Sequence, residues 1–247
     1  MVVDDGSPNS DKLQFLKKYG VSLIKNKTNM GRGFCRNLAI QNLEDPFILF
    51  LDATNTIKPG YVRLALSHFV DESISAVSGL IHNCPHIDFF ASNCRGRHLF
   101  KQEYNFGNSH HYASSLTTYG TIFKRSAVLD TGNFDVNLKH SEDKDLGQRL
   151  FAAGYKIIGD PKLVVYSIKK ESLLSVLERY WRWYGGEDEK MSLGDYWNAM
   201  KASLKPMIQE DLNAKDWRSA FISFLCPHYG YLRHLYRKFT GKLQKID

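Results

Sequence analysis

Short apolar runs alternate with amphipathic, helix-length stretches from the start of the chain to about residue 168. This alternation predicts an α/β fold with a largely parallel sheet covered by helices. Two local observations support it. Acidic residues close the apolar runs, Asp4 and Asp5 after Val2 and Val3 and Asp52 after residues 47–51, and ligands of open α/β sheets bind at such strand ends. Residues 140–155, HSEDKDLGQRLFAAGY, then read as one well-bounded helix leading into a further strand.

In that helix Ser141 is the expected N-cap, and Glu142, Asp143 and Asp145 put carboxylates where the helix dipole favours negative charge. Leu146, Leu150 and Ala153 recur at helical spacing, giving one apolar face, and Gly154 ends the helix. A carboxylate on the first turn of an anchored helix is a rigidly placed base; the plain alternative is a solvated acidic helix start.

The remaining elements follow in order. Residues 1–7 read as the end of a strand and a turn. A buried strand that starts at Met1 has nothing before it to pair with, so a preceding strand and helix are expected to be missing from this chain. Residues 10–19 form a short helix and 21–25 a strand; 31–43 form a helix with Phe34, Leu38 and Ala39 inward. A strand over 47–51, a helix from Pro59 to Phe69 and a strand over 74–81 come next. Residues 84–112 read as an irregular loop or insertion. Near it stand His82, Cys84, His86, Cys94 and His98, whose spacing fits no closed tetrahedral zinc pattern. Strands at 116–124, 156–158 and 163–168 and a helix over 171–184 complete a first domain, 1–185. Gly185, Gly186 and Glu187 begin a linker to a helical C-terminal extension, 186–247, in which Pro227 interrupts an apolar stretch.

The sequence has 247 residues, 43% hydrophobic and 24% charged, the composition of an ordinary globular protein. Its net charge of +7 suits an anionic ligand or an anionic membrane surface. Cysteines at 35, 84, 94 and 226 show no disulfide-framework spacing, which suits a reducing compartment. With no apolar run near the roughly 18 residues of a membrane span, a cytoplasmic location is expected, with peripheral attachment at the inner face of the membrane as its variant. Around Tyr231, aromatics alternate with Arg233, Arg237 and Lys238, the composition of a helix that lies on an anionic surface, caps the core or forms a dimer contact. No recognition helix or basic-aromatic strand motif points to nucleic acid.

The motifs VVDDGS at 2–7, GRGFCRNLAI at 31–40, FLDATNTIKPG at 50–60, TGNFD at 131–135 and EDKDLGQRLFAAGY at 142–155 occur in that order. Together, over roughly residues 1–185, the chain resembles the inverting family-2 glycosyltransferases. The resemblance implies a Rossmann-like GT-A fold, with a mixed, mostly parallel sheet flanked by helices. It also implies transfer from a nucleotide-diphosphate sugar, usually UDP-linked, to a glycan or lipid-linked acceptor in polysaccharide biosynthesis. Asp5, with Asp4 beside it, matches the acid that accepts a hydrogen bond from the base. Arg36 and Asn37 match a pair near the nucleotide; independently, a helix N-terminus flanked by Arg32 and Arg36 is a fair diphosphate cradle, and a surface salt bridge to Glu44 or Asp45 is the plain alternative for Arg36. Asp52 matches the first acid of an Asp-x-Asp motif, and Asp143 the catalytic base. Glu142 and Trp183 fall on the acceptor side, where residues 179–183 resemble a Gln-x-x-Arg-Trp motif with Arg179 in place of glutamine.

Two departures concern one ion, the Mg or Mn that is usual in the family. The second acid of the Asp-x-Asp motif is Thr54, and the later metal-binding histidine is Ser167. No metal ligand set is therefore assigned. Lys169 and Lys170, with Lys58 and Arg125 as further candidates, are expected to neutralise the leaving diphosphate instead. The alternative is a catalytically inactive, nucleotide- or sugar-binding relative. A phosphoacceptor receiver domain leaves Arg36, Asn37 and the Glu142–Asp143 helix start without purpose.

Overall fold

The computed structural model describes residues 1–86, 90–100, 109–138, 141–184 and 191–240, with the side chains of 183 and 184 left out. In chain order the elements are β1 (Val2–Asp4), a 3-10 helix (Ser10–Tyr19), β2 (Leu23–Lys25), α1 (Arg32–Asn42), β3 (Phe47–Phe50), β4 (Asn55–Ile57), α2 (Tyr61–Leu66), β5 (Ile74–Asn83) and α3 (Phe90–Cys94). There follow β6 (His111–Tyr112), β7 (Thr121–Lys124), α4 (Arg125–Asp130), α5 (Glu142–Ala152), β8 (Lys156–Ser167), α6 (Leu173–Tyr184), α7 (Leu193–Ala202), α8 (Gln209–Asn213) and α9 (Trp217–Thr240). They cluster into two compact units, Met1–Leu80 with Phe106–Val165, and Ile81–Asn105 with Tyr166–Asp247. The division does not coincide with the sequence boundary at residue 185, since α3 and α6 cluster with the C-terminal helices. The linker expected at 185–187 lies outside the described residues.

The sheet is mixed. β1 and β2 run parallel as a separate pair, and the main sheet has the order β3-β7-β5-β8-β4, with β6 on β8. β7 is antiparallel to β3 and β5, and β6 to β8. Between β5 and β8, Lys156 N bonds Ser73 O at 2.8 Å and Cys84 N bonds Ser167 O at 3.0 Å, the same order along both strands and hence a parallel arrangement. The core of the first unit joins Ile40 of α1, Phe123 of β7, Val128 of α4 and Leu146 and Leu150 of α5 around Phe134. Each such side chain contributes about 1.5–3 kcal/mol by leaving water. Phe50 meets Phe123 and Phe134 edge-on at 5.4 and 5.6 Å, the arrangement ring quadrupoles favour.

Four elements depart from expectation for identifiable reasons. In α1 the buried residues are Gly33, Arg36, Ala39 and Ile40, with Phe34 and Leu38 only partly covered, so an arginine shares the inward face. β8 is one strand where two were expected. It runs through Pro161, and beside the proline the Asp160 carboxylate accepts hydrogen bonds from Lys162 N and His68 Nε2, each at 2.8 Å. Within the stretch expected to be irregular, residues 90–99 are helical. Ala91 and Cys94 join Val176, Ile222 and Cys226 in the core of the second unit, and its polar residues have buried partners. Arg95 donates to Glu171 at 2.9 Å and to Asn83 at 2.8 Å, and His98 Nε2 lies 2.8 Å from Asp211.

The fourth departure is Pro227, which sits inside α9 rather than ending it. Proline lacks the N–H that would serve the carbonyl four residues back. That carbonyl, Ser223 O, instead accepts a hydrogen bond from the buried Ser203 hydroxyl at 2.6 Å. Ser203→Ala therefore leaves a buried acceptor unpaired and should cost about 1–3 kcal/mol in urea unfolding. In a Pro227→Ala background, where residue 227 regains its N–H, the same change should cost clearly less.

Candidate functional site

The site builds from the N-terminus of α1 in the first unit. Asp5 follows β1 and turns its carboxylate onto the loop before α1. Oδ1 accepts from Met30 N and Asn26 Nδ2, and Oδ2 from Gly31 N, each at 2.8 Å. Burial works to raise its pKa, but the bonds from Met30, Asn26 and Gly31 outweigh burial and hold the carboxyl below its usual range. Asp5 thus fixes the entry to α1 and is ionised at neutral pH. Gly31, at φ 94°, takes a backbone conformation that favours glycine. Asp4 is buried beneath it, held below the usual carboxylate range by the Ser10 and Ser7 side chains, and accepts from Ser7 N at 3.3 Å. It braces the turn after β1, and its Oδ2 is buried with no hydrogen-bond partner among the described residues.

One turn along α1, the buried Arg36 guanidinium bonds Glu142 through Nη1 and lies 3.6 Å from Asp52 through Nη2. Arg32 Nε approaches the same Glu142 oxygen at 3.3 Å. Arg36 therefore has a buried partner, not the surface pair with Glu44 or Asp45 that was the plain alternative. Glu142, assigned by sequence to the acceptor side, is 1% exposed and serves the arginines. Its second oxygen, Oε2, is buried and has no hydrogen-bond partner among the described residues. Close approach of α1 and α5 depends on Gly33, where a Cβ would stand 2.6 Å from Asp135 O and 3.4 Å from Glu142 Cβ. Asn37 donates to Phe134 O at 2.8 Å, so its amide nitrogen braces the 131–135 turn instead of standing free toward a nucleotide.

Asp143 is the next residue on α5, half-buried, its Oδ1 accepting from Lys144 N at 2.9 Å. Ser141 gives no side-chain cap and sits in the left-handed region at φ 61°, so the expected cap bond is absent and the acidic first turn stands without it. Burial first, then the charge of Glu142, raise the Asp143 pKa above its ordinary 3.8; Lys144 N–H, Arg36 and Arg32 offset this only in part. Tyr119, which the sequence did not single out, feels the Asp143 charge, and its own pKa is raised mainly by burial. A half-buried carboxylate tuned upward beside two arginines is suited to taking a proton next to an anionic ligand.

The sequence model of glycosyl transferase family group 2 matches residues 47–241. The chain belongs to this family. The pre-mycofactocin glycosyltransferase of Mycobacterium tuberculosis is 25% identical over 196 residues, 75% of this chain and 40% of its own, so the chain spans about two fifths of that relative's length. Among solved structures, Staphylococcus aureus TarS 1–349 in complex with UDP-GlcNAc is 18% identical, with a TM-score of 0.53, covering 98% of this chain and 66% of that one. The mannosyltransferase PcManGT from Pyrobaculum calidifontis, in complex with GDP-Man and Mn2+, is 15% identical, with a TM-score of 0.60, covering 96% and 77%. At such identities the likeness shows the fold, and it is the GT-A glycosyltransferase fold.

Measured against the family-2 pattern, the metal positions do not fit a divalent ion. Thr54 is an exposed hydroxyl, Ser167 a buried one, and Asp52 faces the Arg36 guanidinium. No group of three or more His, Cys, Asp or Glu side chains converges among the described residues. A hard cation takes several anionic or carbonyl oxygens, and one carboxylate already beside a cation is a poor offer. In the second unit, Lys169 and Lys170 are exposed, and Lys169 Nζ lies 3.6 Å from Glu171. Arg179, within the acceptor-like motif, also bonds Glu171, at 2.9 Å. Trp183 lies in α6, but its side chain is outside the described residues. Arg125 donates to Ile40 O at 3.1 Å, at the far end of α1 from Asp5, and is not part of this cluster.

The raised pKa of Asp143 has a stability consequence. A carboxyl whose folded pKa exceeds its unfolded value adds stability that is full below the unfolded value and is lost as pH rises through the folded one. Asp143→Asn, which mimics the protonated form, should therefore melt at a higher temperature than the parent at pH 7. The gain should vanish on acidification below the ordinary 3.8, and thermal denaturation across pH checks it.

Proposed function

We propose that the chain transfers a sugar from a nucleoside-diphosphate donor, UDP-linked by preference, to the hydroxyl of a glycan or lipid-linked acceptor, with inversion at the anomeric carbon. The observation that carries this reading is the pairing on one helix turn of Asp143, tuned upward, with Glu142, which locks Arg36. In this scheme Asp143 takes the acceptor proton as the hydroxyl oxygen bonds the anomeric carbon. The bond from that carbon to the diphosphate oxygen breaks with its electrons on the diphosphate, inverting the centre. Arg32 and Arg36, at the N-terminus of α1, meet the departing charge. Lys169 and Lys170 are a second source of positive charge. Asp5, with acceptor capacity left on Oδ2, takes a hydrogen bond from the base, and Asp52 orients the ribose or sugar-diphosphate. The setting is polysaccharide biosynthesis at the cytoplasmic face of a membrane. An inactive binding relative is the second reading, favoured by the hydroxyls Thr54 and Ser167 at metal positions.

The test is a thermal-shift titration against UDP, GDP and their sugars with chelator present, followed by a transfer assay. One nucleoside diphosphate should stabilise the chain, by about 2.7 kcal/mol at a hundred times its Kd. Asp143→Asn should keep that shift and lose turnover by about 10²–10⁴-fold, and the parent rate should climb with pH as Asp143 ionises. Lys169→Ala and Lys170→Ala should lower turnover with little loss of nucleotide binding. Full turnover in Asp143→Asn contradicts the mechanism, and binding without turnover in the parent selects the inactive reading.

A further inference from the structure

Helix α9 has two faces of opposite kind. Ser219, Ala220, Ile222, Ser223, Cys226 and Gly230 are buried within the second unit. On the other side Trp217, Phe221, Phe224, Leu232, Tyr236 and Phe239 are all exposed, Trp217 by 68% and Phe239 by 81%. Their separations of three, four and eight residues keep them on one side of a helix turning about 100° per residue. Tyr196 of α7 covers the middle of the stripe, its ring 4.9 Å from that of Tyr231 and its hydroxyl 3.0 Å from His228 Nδ1. The stripe therefore forms two apolar clusters, Trp217 with Phe221 and Phe224, and Leu232 with Tyr236 and Phe239, each on the order of 350 Å² at about 200 Å² per large side chain. Each cluster is within the roughly 300–600 Å² of the largest patch on a typical monomer, two lie on one helix, and such patches mark interaction sites.

Charge identifies the occupant. Between Trp217 and Thr240 the sequence has Arg218, Arg233, Arg237 and Lys238 and no Asp or Glu. Arg218 lies over the Trp217 ring, 5.3 Å from its centroid, and Lys238 is exposed next to Phe239. Arg233 is turned inward, bonded to Glu178 at 2.8 Å and stacked over Trp181. Two copies of this face brought together would oppose cations with no acid from either helix. An anionic lipid surface offers the complement, acyl chains for the rings and headgroups for the cations. No described helix is long and apolar enough to cross a membrane, so this one would lie along it, over about 36 Å for 24 residues.

We propose that α9 seats the protein on an anionic lipid surface, its aromatic stripe in the acyl boundary and Arg218 and Lys238 among the headgroups. This does not rest on the nucleotide site, and it is read by binding alone. In vesicle flotation, the whole chain should rise with phosphatidylcholine vesicles that contain phosphatidylglycerol and stay down with pure phosphatidylcholine. Added salt should weaken the association. Phe221→Glu with Phe239→Glu should weaken it at least about tenfold, and Arg218→Glu with Lys238→Glu should weaken it on the anionic vesicles. Circular dichroism and melting confirm that each pair of changes, made at exposed positions, leaves the fold intact. Flotation that ignores phosphatidylglycerol, flotation unchanged in folded stripe variants, or none at all overturns the proposal. So does a dimer by light scattering that the Phe221→Glu, Phe239→Glu variant returns to monomer.

Discussion

Glu142 is almost wholly removed from water, and its carboxylate is compensated by Arg36, itself buried, and by Arg32 at the edge. Burying such charges is costly unless they are paired, and removing one partner of a buried pair commonly costs about 3–5 kcal/mol. The contact joins residues 106 apart in sequence, on the second turn of α1 and the first turn of α5. The two helices are thereby held together, and a paired arginine–carboxylate cluster is fixed beside Asp143. Gly33 permits the approach, and the Phe134 turn braces it through Asn37.

The arrangement divides labour between adjacent acids. Glu142 holds the arginines, while Asp143 lies more open, repelled by its neighbour and less accessible to water than a free carboxylate. Both effects disfavour its ionised form. The same arginines bear on the metal question. Where Thr54 and Ser167 offer hydroxyls, Arg36 stands beside Asp52, its guanidinium shared between that carboxylate and Glu142. A cation built into a core needs no ligand cage, but it does need a buried acid, and Glu142 is that acid.

Much of this was legible in the sequence. The strand-helix alternation and the motif order gave the GT-A fold, and Asp5, Arg36, Asp52 and Glu142 do meet around the start of α1. Partnerships between residues distant in sequence leave no local pattern. Apolar periodicity alone turns Phe34 and Leu38 inward on α1, because it takes no account of an arginine paired in the core. Residues 84–112 look irregular because Arg95 and His98 read as polar surface, whereas Glu171 and Asp211 wait for them in the interior. Pro227 reads as a helix stop unless one knows that Ser203 supplies the missing donor. Tyr119 carries no motif signal and is found only through its proximity to Asp143. Local patterns show which residues repeat; they do not show which buried charges are answered from elsewhere.

The central claim is that Glu142 and Arg36 act as one energetic unit. A double-mutant cycle on unfolding free energy, with Glu142→Gln, Arg36→Met and the pair, measures it directly. The expected coupling is about 2–3 kcal/mol, with the double variant costing clearly less than the sum of the two single ones. Additive effects, with a coupling near zero, would contradict it and would make the two side chains independent occupants of the same interior.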